Sequence, residues 1–278
     1  MSPFDPRITL ARADLAAGSL EGVLRARRFA KTSAMQAVRP VAAVRSAPDL
    51  AAEQTDQLLF GEIFDCLEFV GGHAWGQARR DGSVGFVEAG ALSSMVRAPT
   101  HWIAAPRAFA FEAPSIKAPA SGPFSLNALV SIDETEDRFA RATGVGWIAK
   151  VHLAPIGAAL DDPAAVAERF LGTPYLWGGR DSLGLDCSGL IQQALYAGGL
   201  ACPRDSDQQA ALGDPAPPEA LRRGDLVFWL GHVGMMLDAR HLLHANAHHM
   251  AVAIEPLEEA VARIRAAGGG EPTAFRRL

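Results

Sequence analysis

The residues of this chain that could do chemistry gather in its final third. Cys187 stands in Leu185-Asp186-Cys187-Ser188-Gly189-Leu190, and two histidines follow, in Gly231-His232-Val233-Gly234 and in His241-Leu242-Leu243-His244-Ala245-Asn246. A cysteine opening a helix, with two histidines on strands, supplies the parts of a thiol-nucleophile site: the attacking sulfur, a base, and a second imidazole that fixes the base's tautomer. The helix runs from 187 to 197, and Gly198-Gly199 stops it. Its N-terminal donors and dipole favour a thiolate, so the sequence predicts a thiol activated before any base acts. The plainer reading of Cys187 is a small buried hydrophobe.

The histidines must share a face to work together. Residues 233–237 and 241–246 read as a hairpin across Asp238-Ala239-Arg240. With a three-residue loop, Leu237 pairs with His241, His244 opposes Gly234, and His232 opposes Asn246, which puts both imidazoles on one face. A two-residue loop would send them to opposite faces. Metal binding is the competing reading, because His241, His244, His248 and His249 crowd together. No carboxylate or cysteine stands among them at ligand spacing, and a strand separates His241 from His244 across its faces, so no metal is expected. His248 and His249 read as a polar loop.

The elements that position these groups begin near residue 160. Residues 163–170 read as a helix broken by Gly172-Thr173-Pro174, and a loop over 175–186 leads to Cys187. Strands are expected at 225–230, 233–237, 241–246 and 251–254. Upstream, Val84-Gly85-Phe86-Val87 and Val145-Gly146-Trp147-Ile148 repeat at an offset of 61 residues, with Leu92 falling on Leu153. This marks two copies of one module. Short strands at 41–44, 57–60, 63–69, 74–78, 102–104, 109–111, 129–132 and 138–142 suggest two small β-barrels, with Phe86 and Trp147 as core aromatics. Residues 11–30, rich in Ala, Leu and Arg but interrupted by Gly18 and Gly22, read as a short helix pair or a packed extension.

Composition narrows the function classes. A net charge of −5 and a pI near 5.9 give no basic footprint for nucleic acid or an anionic membrane. Cys66, Cys187 and Cys202 form an odd, sparse set that fits neither a disulfide scaffold nor a thiolate zinc site. Neither a basic-then-apolar leader nor a long unbroken apolar window is present, so the expectation is a soluble, cytoplasmic protein with no cofactor.

Six blocks then make a resemblance specific. Pro174-Tyr175-Leu176-Trp177-Gly178-Gly179, Asp186-Cys187-Ser188-Gly189-Leu190, Pro203-Arg204-Asp205-Ser206-Asp207-Gln208-Gln209, Arg223-Gly224-Asp225-Leu226-Val227-Phe228, Gly231-His232-Val233-Gly234 and His244-Ala245-Asn246 resemble the NlpC-type cell-wall cysteine peptidases in order and spacing. The resemblance implies an α+β chain: a papain-like peptidase domain over 158–278, preceded by an N-terminal extension (1–35) and two SH3-like barrels (36–97 and 98–157). It implies Cys187 as nucleophile, His232 as base and His244 as orienting residue, with Tyr175 and the Cys187 N–H serving an oxyanion.

The paired barrels and the opening Asp5-Pro6-Arg7 resemble the subgroup of γ-D-glutamyl-L-diamino acid endopeptidases, also called dipeptidyl-peptidase VI. For that subgroup the implied substrates are peptidoglycan stem peptides with a free N-terminal L-Ala, cleaved to release L-Ala-γ-D-Glu in murein peptide recycling. The amine would meet Asp186, Ser188, Ser206 and Glu62. Gly82-Ser83 stands where the subgroup has Gly-Tyr. Taken singly, Asp186 could be a helix cap, Ser206 a loop cap, Glu62 a solvated turn residue and Trp177 a packing aromatic. Two other functions remain: a wall-fragment binding or sensing protein with an idle catalytic domain, and a related thiol acyltransferase or amidase.

Overall fold

The computed structural model describes residues 4–278, which divide into two compact units at Ile156/Gly157. Strands dominate the first, and both long helices lie in the second, giving an α+β chain. Among the described residues, no helix is long and apolar enough to cross a membrane.

In the first unit, a seven-stranded sheet takes the order Gln54–Leu59, Val41–Arg45, Val84–Glu88, His73–Ala78, Ile63–Val70, Ser33–Ala37, Leu92–Ser93. Its alternating inward residues, among them Val44, Leu58, Phe64, Ala74 and Val87, form one core. Five- and three-stranded sheets between His101 and Pro155 enclose a second, built on Ile103, Phe124, Val130 and Ile148. The repeat is structural: Val84–Glu88 and Gly146–Ala149 are each followed by a 3-10 turn and a short strand, Leu92–Ser93 and Leu153–Pro155. Phe86 packs with Trp75, while Trp147 is buried.

Apart from the 3-10 turn Gly18–Leu20, residues 11–30 are not helical. They form a packed extension whose Leu10, Leu15 and Ala17 rest on Trp75, with Ala16–Ala17 pairing in parallel with Phe29–Ala30. Gly18 and Gly22 weaken any helix there, and apolar contact with the sheet decides the outcome. The expected boundary at residue 35 falls inside the strand Ser33–Ala37, which pairs with Ile63–Val70, so the extension runs into the first sheet.

The second unit is a six-stranded antiparallel sheet in the order Asp214–Pro215, Ala274–Arg277, Leu226–Trp229, His232–Met236, His241–Asn246, Ala251–Pro256. Four helices accompany it: α1 (Pro163–Glu168), α2 (Cys187–Ala197), α3 (Ser206–Gln209) and α4 (Leu257–Ala266). Asp162 caps α1 by accepting from the Ala165 N–H (3.1 Å), and Arg223 holds the other oxygen of Asp162 (2.8 Å). Asp225, in the same turn, pairs with Arg277 (2.6 Å), so this turn is scaffold. Helix α4 lays Leu257, Ala260, Val261 and Ile264 over Val227, Trp229, Met236 and Leu242.

Helix α2 is buried along its whole length and packs on the strand His232–Met236. Its polar residues have local partners: Gln193 donates to the Arg180 carbonyl (2.5 Å) and Gln192 to the Tyr196 hydroxyl (3.0 Å). Its first turn presses on the loop before it. A Cβ added at Gly189 would lie 2.2 Å from the Gly179 carbonyl oxygen, a backbone atom that cannot swing away. Glycine here sets how closely Cys187 approaches its loop. Gly189→Ala should lower unfolding stability by about 1–3 kcal/mol through overpacking, read from denaturant midpoints. An unchanged midpoint would contradict this packing.

Candidate active site

Cys187 is the first residue of α2, and Asp186 is the N-cap that holds it there. One Asp186 oxygen accepts from the Gly189 N–H (2.8 Å) and the Ser188 hydroxyl (3.2 Å), and the other accepts from the Gly178 N–H (2.9 Å). Arg204 joins both oxygens, at 3.1 Å through Nη1 and more closely through Nη2, and also donates to the Ser188 hydroxyl (2.7 Å). All three side chains are buried. Asp186 is thus a cap and one half of a buried ion pair, its carboxylate filled by groups of the chain itself. Ser188 belongs to the same network. Ser206 opens α3 nearby in sequence and is also buried.

The thiol is not pre-ionised. Burial pushes Cys187 up to about 12, and Asp186 adds to the rise; the Val233 N–H, Arg204 and the Ser188 N–H pull the other way without prevailing. The expectation of a helix-activated thiolate is therefore corrected: desolvation outweighs the dipole at a helix end that is itself enclosed. Tyr175 feels the same surroundings. Burial first, then the nearness of Cys187 and Asp186, raises its phenol, which stays a neutral donor. The Cys187 N–H has no backbone acceptor among the described residues, as befits the first position of a helix.

The hairpin has the register of a three-residue loop. Met235 pairs with Leu243 and Met236 with Leu242, while the Leu237 N–H donates to the His241 carbonyl (2.8 Å). By that register His244 opposes Gly234 on the face shared with His232, and the rings meet with His232 Nε2 and His244 Nδ1 2.8 Å apart. Gly234 makes room for them, since a Cβ there would lie 2.7 Å from Leu242 Cδ1 and 3.1 Å from His244 Cβ. His241 points elsewhere, exposed, with its Nδ1 2.8 Å from Asp238 Oδ2.

Beyond His244 lies Glu255, which sequence reasoning missed. Its Oε1 stands 2.7 Å from His244 Nε2 and is also held by Arg263 of α4. Pairing with Arg263 and His244 keeps Glu255 below the usual carboxylate range despite its burial. Burial lowers His232 to about 3, with His244 and Arg263 adding to the fall. It lowers His244 to about 4 although Glu255 opposes it. Both imidazoles are neutral near pH 7, and this dictates the proton positions. An ionised Glu255 only accepts, so His244 carries its proton on Nε2 and accepts at Nδ1; His232 then donates from Nε2 and keeps a lone pair on Nδ1. The line ends in a base.

Two signals for Glu255 were present in the sequence. The strand predicted over 251–254 extends to Pro256, and since Ala253 pairs with His244, Glu255 falls on the histidine face two residues on. Glu258 and Glu259 at one end of α4, with Arg263 and Arg265 at the other, mark a helix that places Arg263 above that strand.

His249 is exposed in the turn after Asn246, whose Oδ1 accepts from its backbone N–H (2.8 Å). Donor atoms of His244, His249 and Glu255 lie within 4.8 Å of one another. A cation there would have to break the His244–Glu255 contact and displace Arg263. In the first unit, Glu62 is buried, accepting from the Leu59 N–H (3.0 Å) and pairing with Arg80 (2.9 Å), so it is no solvated turn residue. Ser83 is buried as well, with its N–H on Asp81 Oδ1 (3.0 Å). Trp177 is largely exposed.

Residues 172–268 match the NlpC/P60 family, and residues 44–92 match the bacterial dipeptidyl-peptidase Sh3 domain. The chain is 35% identical over 100 residues to a gamma-D-glutamyl-L-lysine dipeptidyl-peptidase of Bacillus subtilis, covering 33% of this chain and 34% of the relative. It is 34% identical over 107 residues to the protein of the same name in Bacillus cereus, covering 36% and 32%. The matches span about a third of each relative's length. A crystal structure of an NlpC/P60 family protein from Bacillus cereus superposes with a TM-score of 0.74 at 20% identity, covering 88% of this chain and 99% of that one, which shows a shared fold.

Asp186→Asn should cost about 3–5 kcal/mol, because Arg204 would keep its buried charge without a partner. Thermal unfolding of the variant beside the wild type reads this directly. A loss below about 1 kcal/mol, the range of exposed pairs, would remove the clamp from the account.

Proposed function

We propose that this chain, which carries an NlpC/P60 domain behind a bacterial dipeptidyl-peptidase SH3 domain, is a cysteine peptidase that hydrolyses the γ-D-glutamyl-L-diamino acid bond of peptidoglycan stem peptides and releases L-Ala-γ-D-Glu. The observation that carries the reading is the directed line from His232 through His244 to Glu255, which leaves an unprotonated His232 Nδ1 as the base for the buried Cys187 thiol. The names of the relatives support the choice of bond. We place its work in murein peptide recycling in the cytoplasm.

The proton leaves Cys187 as sulfur bonds to the γ-glutamyl carbonyl carbon, because in so dry a site the imidazolium is stabilised only once negative charge passes to the carbonyl oxygen. His232 Nδ1 takes the proton, and its Nε2–H stays on His244. The carbonyl electron pair moves to oxygen, which the Cys187 N–H and the Tyr175 hydroxyl receive. As the tetrahedral intermediate collapses, the C–N bond breaks and His232 returns the proton to the departing amine. A thioester remains. Water attacks it with His232 again as base, and the acid leaves as the thiol reforms.

The amine of a free N-terminal L-Ala is the remaining recognition element. Asp186 meets it already neutralised by Arg204, so the Ser188 and Ser206 hydroxyls would carry more of the contact than an isolated carboxylate would need from them. A charge-assisted hydrogen bond is worth about 1.5–3 kcal/mol, or roughly ten- to a hundredfold in specificity.

A digest of L-Ala-γ-D-Glu-diamino acid peptides, free and N-acetylated, followed by mass spectrometry, tests the reading. The free peptide should release L-Ala-γ-D-Glu, the acetylated one should react at least about tenfold more slowly, and Cys187→Ala should release nothing. Equal turnover of the two peptides would refute amine recognition. Full activity of the alanine variant would refute the nucleophile.

A further inference from the structure

Ser206 opens α3, a helix of a single turn, and Gln209 closes it. So short a helix gains too few internal bonds to fix itself, and its N-cap residue, Asp205, makes no side-chain cap. Its place is set by the rest of the unit. Just past its end, the Ala210 carbonyl accepts from Arg276 of the strand Ala274–Arg277 (2.6 Å). Toward the head of α2 the tie is Gln209, which is fully buried.

One carboxamide nitrogen serves two stretches of backbone. Gln209 Nε2 donates to the Ser188 carbonyl (3.0 Å) and to the Pro203 carbonyl (2.9 Å). Both neighbours are acceptors, so the nitrogen must face them and the amide has one orientation. Ser188 follows Cys187, and Pro203 precedes Arg204, whose guanidinium joins Asp186 and the Ser188 hydroxyl. From one side chain, Gln209 therefore fixes the first turn of α2, the peptide that carries Arg204 and, one helical turn back on its own element, Ser206. The oxygen of the same amide is buried with no hydrogen-bond partner among the described residues. A buried acceptor left unpaired works against stability, so the amide is better explained by the geometry its N–H groups impose than by the stability it adds.

We propose that Gln209 is a positioning residue for substrate binding: its two N–H bonds lock α3 against the head of α2 and hold the Ser206 and Ser188 hydroxyls together for the ammonium of the substrate's N-terminal residue. The inference rests on the amine recognition proposed above. Ser188 is already engaged twice, donating to Asp186 and accepting from Arg204, so it cannot swing to meet a displaced Ser206 without breaking those bonds. Hydrogen bonds weaken steeply away from their preferred distance and angle. A shift of α3 is thus felt by an ammonium held there, and not by the scissile carbonyl that Cys187 and Tyr175 receive.

The test measures kcat and KM separately for L-Ala-γ-D-Glu-diamino acid peptides, free and N-acetylated, with the wild type, Gln209→Met and Gln209→Asn. Methionine fills the space without a donor, and asparagine keeps the amide but stops one methylene short. In both variants KM for the free peptide should rise about tenfold or more, the scale of one charge-assisted hydrogen bond, with kcat unchanged. The acetylated peptide has no ammonium and should keep its wild-type kcat/KM, which also reports that the variant is folded. Equal loss on both peptides, a loss in kcat alone or no loss would overturn the positioning role and leave amine recognition standing. Failure of both variants to fold would overturn it too, making Gln209 a residue of the core and no more. A wild type that cleaves the two peptides equally would overturn amine recognition itself, and this inference with it.

Discussion

Desolvation of Cys187 and of the His232–His244 pair is the constraint on which the rest of the site depends. A thiol and two imidazoles taken out of water stay neutral, because an isolated charge there costs more than the groups around it return. The chain nonetheless carries two carboxylates in contact with these groups or next to them, and each is matched by an arginine. Arg204 closes on Asp186 at the head of α2, and Arg263 closes on Glu255 behind His244. The result is a neutral thiol and two neutral imidazoles flanked by two ion pairs. Loss of one arginine would leave a buried carboxylate free to perturb either the thiol or the imidazoles.

Neutrality also gives the line its direction. Glu255 cannot donate, so each proton along the row is fixed on Nε2 and the sequence of donors ends at His232 Nδ1. In the proposed reaction, the positive charge that His232 gains from the thiol proton would face His244 Nδ1, whose acceptor strength is raised by Glu255 on the other side of the ring. Arg263 moderates this by drawing charge from Glu255.

Much of this was legible in the sequence, for identifiable reasons. The hairpin register followed from a three-residue loop and strand parity, which together leave one arrangement for His232 and His244. Helix α2 followed from its cap and its stop at Gly198-Gly199. The charge state of Cys187 did not follow, because a helix N-terminus reads as activating until the burial around it is seen. The Asp186–Arg204 pair joins residues 18 apart, across α2 and the irregular stretch that follows it, and no local pattern announces it. For residues 11–30 the sequence leaves a short helix pair and a packed extension both open, and the packed extension forms because helix propensity is a weak prior beside an apolar surface such as Trp75. Glu255 and Arg263 were missed for a smaller reason: the last strand was ended two residues early and the helix after it was not read.

Nitrogen-resolved NMR of the two imidazoles in the wild-type protein, titrated from about pH 8 to about pH 5, addresses the central claim most directly. The account predicts that His232 and His244 both stay neutral with the proton on Nε2 throughout, since burial holds them far below the ordinary imidazole value of about 6.5. A protonated His232 at neutral pH, the mark of a thiolate–imidazolium pair formed before substrate arrives, would contradict it.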